Sequence, residues 1–159
     1  MSVEDSIRSM LPPGHPTASS SGVAIWSMYL KNVASGLYVR PSGGSGWTDV
    51  LRCDASEPMA WNVVFDYSKS NQIRLQDPSS GKWAMFGYYG TLALNTSDES
   101  EAAVLEVASA EGGFTLQGDE SNGLYYGGDQ SSTPPWLILG LPVPVTPPYG
   151  TWVTEWATK

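Results

Sequence analysis

From Val23 onward, apolar and polar residues alternate in short runs, and each run stops at a cluster of Gly, Pro, Asn, Asp or Ser. A period of two puts successive side chains on opposite faces of an extended segment, so each run reads as a β-strand with one buried face. The pattern predicts strands over Val23–Lys31, Gly36–Arg40, Thr48–Asp54 and Trp61–Asp66. It predicts a second set over Gln72–Gln76, Gly81–Phe86, Thr91–Asn95 and Ala103–Ala108. A third set follows over Gly113–Gln117, Gly123–Gly127, Trp136–Gly140 and Thr151–Trp156. No helix is predicted between them.

The three sets are imperfect copies of one another. LKNVASGLYV starts at Leu30, LQDPSSGKWA at Leu75 and LQGDESNGLY at Leu116. Each joins a leucine, a polar turn and Gly-x-aromatic: Gly36-Leu37-Tyr38, Gly81-Lys82-Trp83 and Gly123-Leu124-Tyr125. A repeat of about forty residues made only of strands and turns marks a repeat architecture. The last strands of the sets also align, as Trp61–Phe65, Ala103–Val107 and Trp152–Trp156, with large apolar residues at alternate positions. The middle copy has small Ala103 and Val107 in this alignment, so a bulky neighbour, Phe86 or Leu105, is expected to fill the space.

Twelve strands in three equivalent four-strand units, over residues 23–159, resemble the all-β β-trefoil fold. The Gly-x-aromatic step is similar to that of ricin-B, fascin and amaranthin-type trefoils. The resemblance implies a barrel capped by hairpins, whose closure removes exposed sheet edges. The Gln-x-Trp signature of ricin-B lectins is absent, so the resemblance does not carry over their sugar site. Small single-domain trefoils of mushrooms and plants match this chain in size. They divide chiefly into lectins and protease inhibitors.

Residues 1–22 differ from the rest. A brief helical turn over Asp5–Leu11 would end at Pro12-Pro13-Gly14-His15-Pro16, and a small polar stretch follows. This composition buries little, so the segment reads as a flexible tail, or as a strap docking on the body or on a second subunit. It has no basic and apolar leader, and no apolar run has the roughly 18 residues of a membrane helix. The expectation is a cytoplasmic protein, with leaderless secretion as the other route.

Eight basic against sixteen acidic residues give a net charge of −8. A nucleic-acid binder needs a basic face, and the sequence shows none. The single cysteine, Cys53, excludes an internal disulfide and alternates with Leu51 and Ala55, which reads as a small buried residue. The single histidine, His15, stands in the proline-rich leader, remote from any nucleophile. One Cys and one His exclude a four-ligand zinc site within the chain. Asp98-Glu99-Ser100-Glu101 reads as a solvated acidic loop and lacks the ordered pattern of a calcium loop. No catalytic residue, metal or cofactor is expected, and the chain is not read as an enzyme.

Binding is better supported than catalysis. A sugar needs an apolar surface for its C–H face and planar polar groups for its hydroxyls. Three loops offer both. Gly43-Gly44-Ser45-Gly46-Trp47-Thr48-Asp49 carries Trp47 beside Asp49. Phe86-Gly87-Tyr88-Tyr89-Gly90 carries Tyr88 and Tyr89, one of which must face outward by alternation, with Asn95 closing the next strand. Tyr125-Tyr126-Gly127-Gly128-Asp129-Gln130 is the third. Tyr125 shares the position of Tyr38 and Trp83 and is read as core, which leaves Tyr126 outward beside Asp129. Pockets of this kind are expected to be shallow, so useful affinity would come from several of them or from a homodimer.

The segment LGLPVPVTPPYG, from Leu139 to Gly150, is stiffened by its prolines and is predicted to be an extended loop between the last two strands. It would cover a barrel end, contact a second subunit or act as the rigid loop of a protease inhibitor. Gly123-Leu124-Tyr125-Tyr126 is also similar to the Gly-x-Tyr-Tyr of Kunitz-type plant inhibitors, although there the step belongs to the first unit. The expected function is that of a lectin with glycans or glycoproteins as partners. The alternatives are a small β-trefoil protease inhibitor and a fascin-like protein-interaction module.

Overall fold

Each predicted strand has a counterpart in the computed structural model, which describes residues 23–66, 71–128 and 138–157. The leader with His15 and the loop carrying Asp129 lie outside the described residues. The first four strands are β1 (Val23–Asn32), β2 (Tyr38–Pro41), β3 (Leu51–Ala55) and β4 (Trp61–Asp66). The next four are β5 (Gln72–Gln76), β6 (Trp83–Phe86), β7 (Leu92–Thr96) and β8 (Leu105–Ala110). The last are β9 (Gly113–Gly118), β10 (Tyr125–Gly128), β11 (Ile138–Leu141) and β12 (Trp152–Trp156). β3 starts at Leu51 rather than Thr48 because Gly46–Thr48 forms a short 3-10 turn instead.

The pairing is antiparallel throughout. β1 pairs with β4, β4 with β5, β5 with β8, β8 with β9, β9 with β12, and β12 with β1 again, which closes a ring of six strands. The other six form three hairpins, β2–β3, β6–β7 and β10–β11. The hairpins touch in turn: Val50 bridges to Ala93, the 3-10 turn Tyr88–Gly90 lies beside β11, and β11 lies beside β3.

The repeated turns explain the repeated residues. Asn32, Asp77 and Asp119 each accept, through Oδ1, the amide two residues on, at 3.0, 2.9 and 3.1 Å. Each turn then closes with a glycine amide donating back to that residue's carbonyl, Gly36 to Asn32, Gly81 to Asp77 and Gly123 to Asp119. These glycines have φ of 70, 75 and 72°, a region that side-chain-bearing residues enter at a cost of about 1 kcal/mol or more. Around Asp77, burial pushes the carboxyl pKa up, but hydrogen bonds from Ser79 and Ser80 outweigh it and leave the pKa lowered.

The inward faces of the ring make one core around Met28, Trp61, Phe65, Leu105, Phe114 and Trp152. Two indoles fasten ring to hairpins: Trp61 Nε1 donates to the Val39 carbonyl at 3.0 Å and Trp152 Nε1 to that of Tyr126 at 3.1 Å. The pairing corrects the alignment of the middle unit. Val63 pairs with Leu75 and Val107 with Leu116, so Leu105, not Ala103, occupies the place of Trp61 and Trp152. The middle unit thus fills a tryptophan's place with Leu105, while Phe86 packs on the core and stacks on Tyr126 at 6.3 Å.

Cys53 is buried as expected, with its Sγ donating to the Leu37 carbonyl, and burial pushes its pKa up to about 11. No helix of the described residues is long and apolar enough to cross a membrane. Among them no group of His, Cys, Asp and Glu is placed to hold a metal ion.

Glu155 links three strands, taking Lys31 Nζ on Oε2 at 2.9 Å and the Tyr38 hydroxyl on Oε1 at 2.7 Å. These bonds, that from Lys31 first, hold the Glu155 carboxyl below its usual range. Its contribution to stability is fully present above the unfolded value, roughly 4, and is lost as pH falls through the folded one. Glu155→Gln should therefore lower the urea midpoint at neutral pH, with the gap to wild type shrinking as pH drops below about 4. A gap that stays constant with pH would contradict this role.

Candidate functional site

The loop between β2 and β3 is tied by its own polar groups. Asp49 Oδ1 accepts the Gly43 amide at 2.8 Å, and Ser42 Oγ donates to the Thr48 carbonyl at 3.0 Å. Thr48 Oγ1 takes the Ser45 amide at 3.1 Å and donates to the Ser45 carbonyl at 2.7 Å. Asp49 is therefore a brace of the loop. Trp47 rides on the 3-10 turn with 38% of its surface exposed.

The corresponding loop between β6 and β7 is a tight turn. The Gly87 amide donates to the Thr91 carbonyl at 2.8 Å, and Thr91 returns its amide and Oγ1 to the Tyr88 carbonyl at 3.1 and 2.6 Å. Alternation predicted one outward tyrosine, but these residues lie on a turn and both rings face water. Tyr88 is 62% and Tyr89 97% exposed. Tyr89 also has φ 58 and ψ 33°, the left-handed region, which a ring-bearing residue enters at a cost of about 1 kcal/mol. An exposed aromatic held in a strained backbone is a mark of a functional position.

The two loops meet. Leu94, on β7, donates its amide to the Asp49 carbonyl at 2.9 Å, and the Asn95 side chain lies against Gly46. The Trp47 and Tyr88 rings stand 5.0 Å apart at 52°, and those of Tyr88 and Tyr89 6.4 Å apart. Trp47, Tyr88 and Tyr89 thus form one aromatic platform, with the half-buried Asn95 amide beside it against Gly46. Nothing in the linear spacing announced this junction, because it depends on how neighbouring hairpins pack.

The third loop does not match the prediction. Tyr126 is only 1% exposed, and its hydroxyl donates to Asn122 Oδ1 at 3.3 Å. Burial pushes its pKa up to about 12. The residue after the repeated aromatic points into the core, as Val39 and Ala84 do, and Tyr126 holds that position while Tyr125 is half-buried. Asp129 lies outside the described residues, so the site is built from the first two loops.

The Tyr89 ring can be removed without touching the core. Tyr89→Asn relieves the backbone at a residue that buries nothing, so stability should hold or rise by about 0.5 kcal/mol. A clear loss of stability in urea denaturation would show that the ring serves the fold instead.

No family model and no curated protein matches the chain. Solved structures do. The Rhizoctonia solani agglutinin aligns with a TM-score of 0.63 at 18% identity, over 88% of this chain and 98% of that one. A salivary protein of Culex quiquefasciatus, from the Cysteine and Tryptophan-Rich family, gives 0.63 at 14% identity, over 90% and 100%. A Caenorhabditis elegans protein of unknown function gives 0.60 at 13% identity, over 89% and 99%. At these identities the likeness shows a shared all-β fold.

Proposed function

We propose that the chain is a β-trefoil lectin without catalytic activity, binding neutral glycans on the platform of Trp47, Tyr88 and Tyr89. The closed six-strand ring with one hairpin per repeat supports the fold reading. One observation carries the functional reading: two loops of different repeats converge to hold three aromatic rings in water, the central pair 5.0 Å apart. Each loop is fastened by internal hydrogen bonds, so little entropy is lost when a ligand settles on it. The rings offer flat faces for the C–H side of a sugar, and Asn95 supplies both a donor and an acceptor. The fold shared with an agglutinin points the same way.

Screening the folded chain on a glycan array tests the reading. Binding to a set of glycans, reduced by alanine at Tyr88, is expected. An array with no hit for a folded sample would overturn it.

A second reading rests on Tyr89. A rigid turn that projects a single ring almost wholly into solvent would also suit insertion into a protease cleft. Titration against trypsin-like and papain-like proteases separates the two, because a lectin leaves both fully active.

A further inference from the structure

The same repeat position is used in three ways, and one of them leaves a crevice. Lys31 pairs with Tyr38, Gln76 with Trp83 and Gln117 with Tyr125, so the residues two places before, Tyr29, Arg74 and Thr115, are equivalent. In the first unit the Tyr29 ring meets Tyr38 edge-on at 6.0 Å. In the third, Pro144 and Val145 of the proline-rich segment come in beside Thr115 and Tyr125 and leave about 150 Å³. In the second, Arg74 lies over Trp83, 5.8 Å from the ring centre, beside a cavity of about 290 Å³.

We propose that this crevice is a second binding site, separate from the aromatic platform, for a neutral sugar ring of monosaccharide size. Its volume lies at the lower edge of small-molecule pockets, which begin at roughly 300 Å³. The buried Ile73 and Ala102 give it an apolar side, while Gln72, Arg74, Glu99 and Ser100 give it a polar one. Arg74 and Glu99 are ion-paired at 2.6 Å. Arg74 offers donors only and an ionised Glu99 acceptors only. Two adjacent hydroxyls, each able to donate and accept, satisfy both groups together. A ligand with a single charge, of either sign, would meet one like charge in this pair, so the balanced lining favours an uncharged polyol over a lone anion or cation.

The lip is already ordered. Asp98 Oδ1 takes the Ser100 amide at 3.0 Å and its hydroxyl at 2.8 Å, and Thr96 Oγ1 donates to Glu101 Oε1 at 2.6 Å. The 3-10 turn Glu99–Glu101 is thereby fixed beside Arg74, and the Asp98 carboxyl is held below its usual range by the bonds from Ser100. The proposal stands on this cavity and its lining, whatever the platform binds.

The test is a titration of the ¹⁵N-labelled full chain with galactose, glucose, mannose and N-acetylgalactosamine in turn, with glucuronate as the charged comparison. At least one neutral sugar should shift the Gln72 side-chain amide and the Ser100 and Ala102 backbone amides, saturating at about millimolar concentration. Arg74→Met should weaken that binding by about tenfold or more, and Glu99→Gln should weaken it as well. The double variant Trp47→Ala/Tyr88→Ala should retain it, and glucuronate should bind more weakly than the neutral sugar. If Arg74→Met does not fold, Glu99→Gln alone decides. No response to any neutral sugar, a response unchanged in the crevice variants, or one lost only with the platform would each overturn the proposal.

Discussion

Gly113→Ala is expected to lower the unfolding free energy by about 3 kcal/mol or more, the upper range for overpacking in a close-packed core. A Cβ on Gly113 would stand 2.1 Å from the Trp152 carbonyl oxygen and 3.1 Å from Val153 Cγ1. An ordinary carbon–oxygen contact is about 3.3 Å or longer, so the backbones must part by roughly an ångström. The obstacle is main chain, which cannot turn aside as a flexible side chain does. The collision falls on the β9–β12 seam, where Phe114 pairs with Trp152, and that seam closes the ring. Displacing Trp152 also pulls its indole from the Tyr126 carbonyl, a buried bond that fastens the ring to its hairpin.

The neighbouring glycine is the control. Gly112 has φ 84° with nothing within 4 Å of an added Cβ, so alanine there meets backbone strain alone, about 1 kcal/mol. Urea denaturation followed by tryptophan fluorescence should therefore place Gly113→Ala well below Gly112→Ala. Equal effects would mean that the β9–β12 contact gives way freely and does not hold the ring closed.

Much of this fold was legible because its constraints are local. The Asn or Asp that closes each turn and the glycine that needs a positive φ recur in the sequence because every copy bends the chain alike. The third copy carries one more residue between strand and glycine, yet Asp119 and Gly123 make the same bonds. The errors arose where a residue's meaning depends on its partners across the ring. Leu105 stands where two other units have tryptophan, and composition alone favoured a register two residues earlier. Tyr126 reads as outward because alignment with Tyr38 and Trp83 makes Tyr125 the core residue, whereas Asn122 gives the Tyr126 hydroxyl a partner inside. The repeat itself held the correction, since Val39 and Ala84 at the same position are plainly core residues.

The site was legible in its parts but not in its assembly. Trp47, Tyr88, Tyr89 and Asn95 stand out as aromatics and an amide on glycine-rich loops, which linear reasoning assigns to separate equivalent pockets. The Val50–Ala93 bridge makes the first two loops neighbours, so their rings form one surface. Asp49 reads as a ligand group by type, yet its carboxylate is turned to Gly43 and Ser42. A site that spans two repeats also breaks the threefold pattern, so the count of binding places need not equal the count of repeats.

Removing the central pair of rings should abolish glycan binding at the platform and leave the fold standing. Each aromatic face that covers a sugar contributes about 1–2 kcal/mol, so Trp47→Ala or Tyr88→Ala alone should weaken binding roughly tenfold. In the double variant, binding at the platform should fall below detection if that site is only about millimolar to begin with. Loss of the mutual Trp47–Tyr88 contact leaves the hydrogen bonds of both loops in place, because these run through Asp49, Thr48, Ser42 and Thr91. The urea midpoint should accordingly change little for Tyr88→Ala, within about 0.5 kcal/mol, while Trp47→Ala, whose indole is more than half covered, should cost about 2 kcal/mol and still fold. Ile25→Ala is the matched control, since Ile25 is an apolar side chain of 62% exposure outside the platform and its loss should leave binding unchanged. Glycan-array intensity and tryptophan fluorescence titration would be read side by side. Full binding in the double variant would remove the aromatic platform as the site, and an equal loss in Ile25→Ala would mean that general apolar adhesion had been mistaken for recognition.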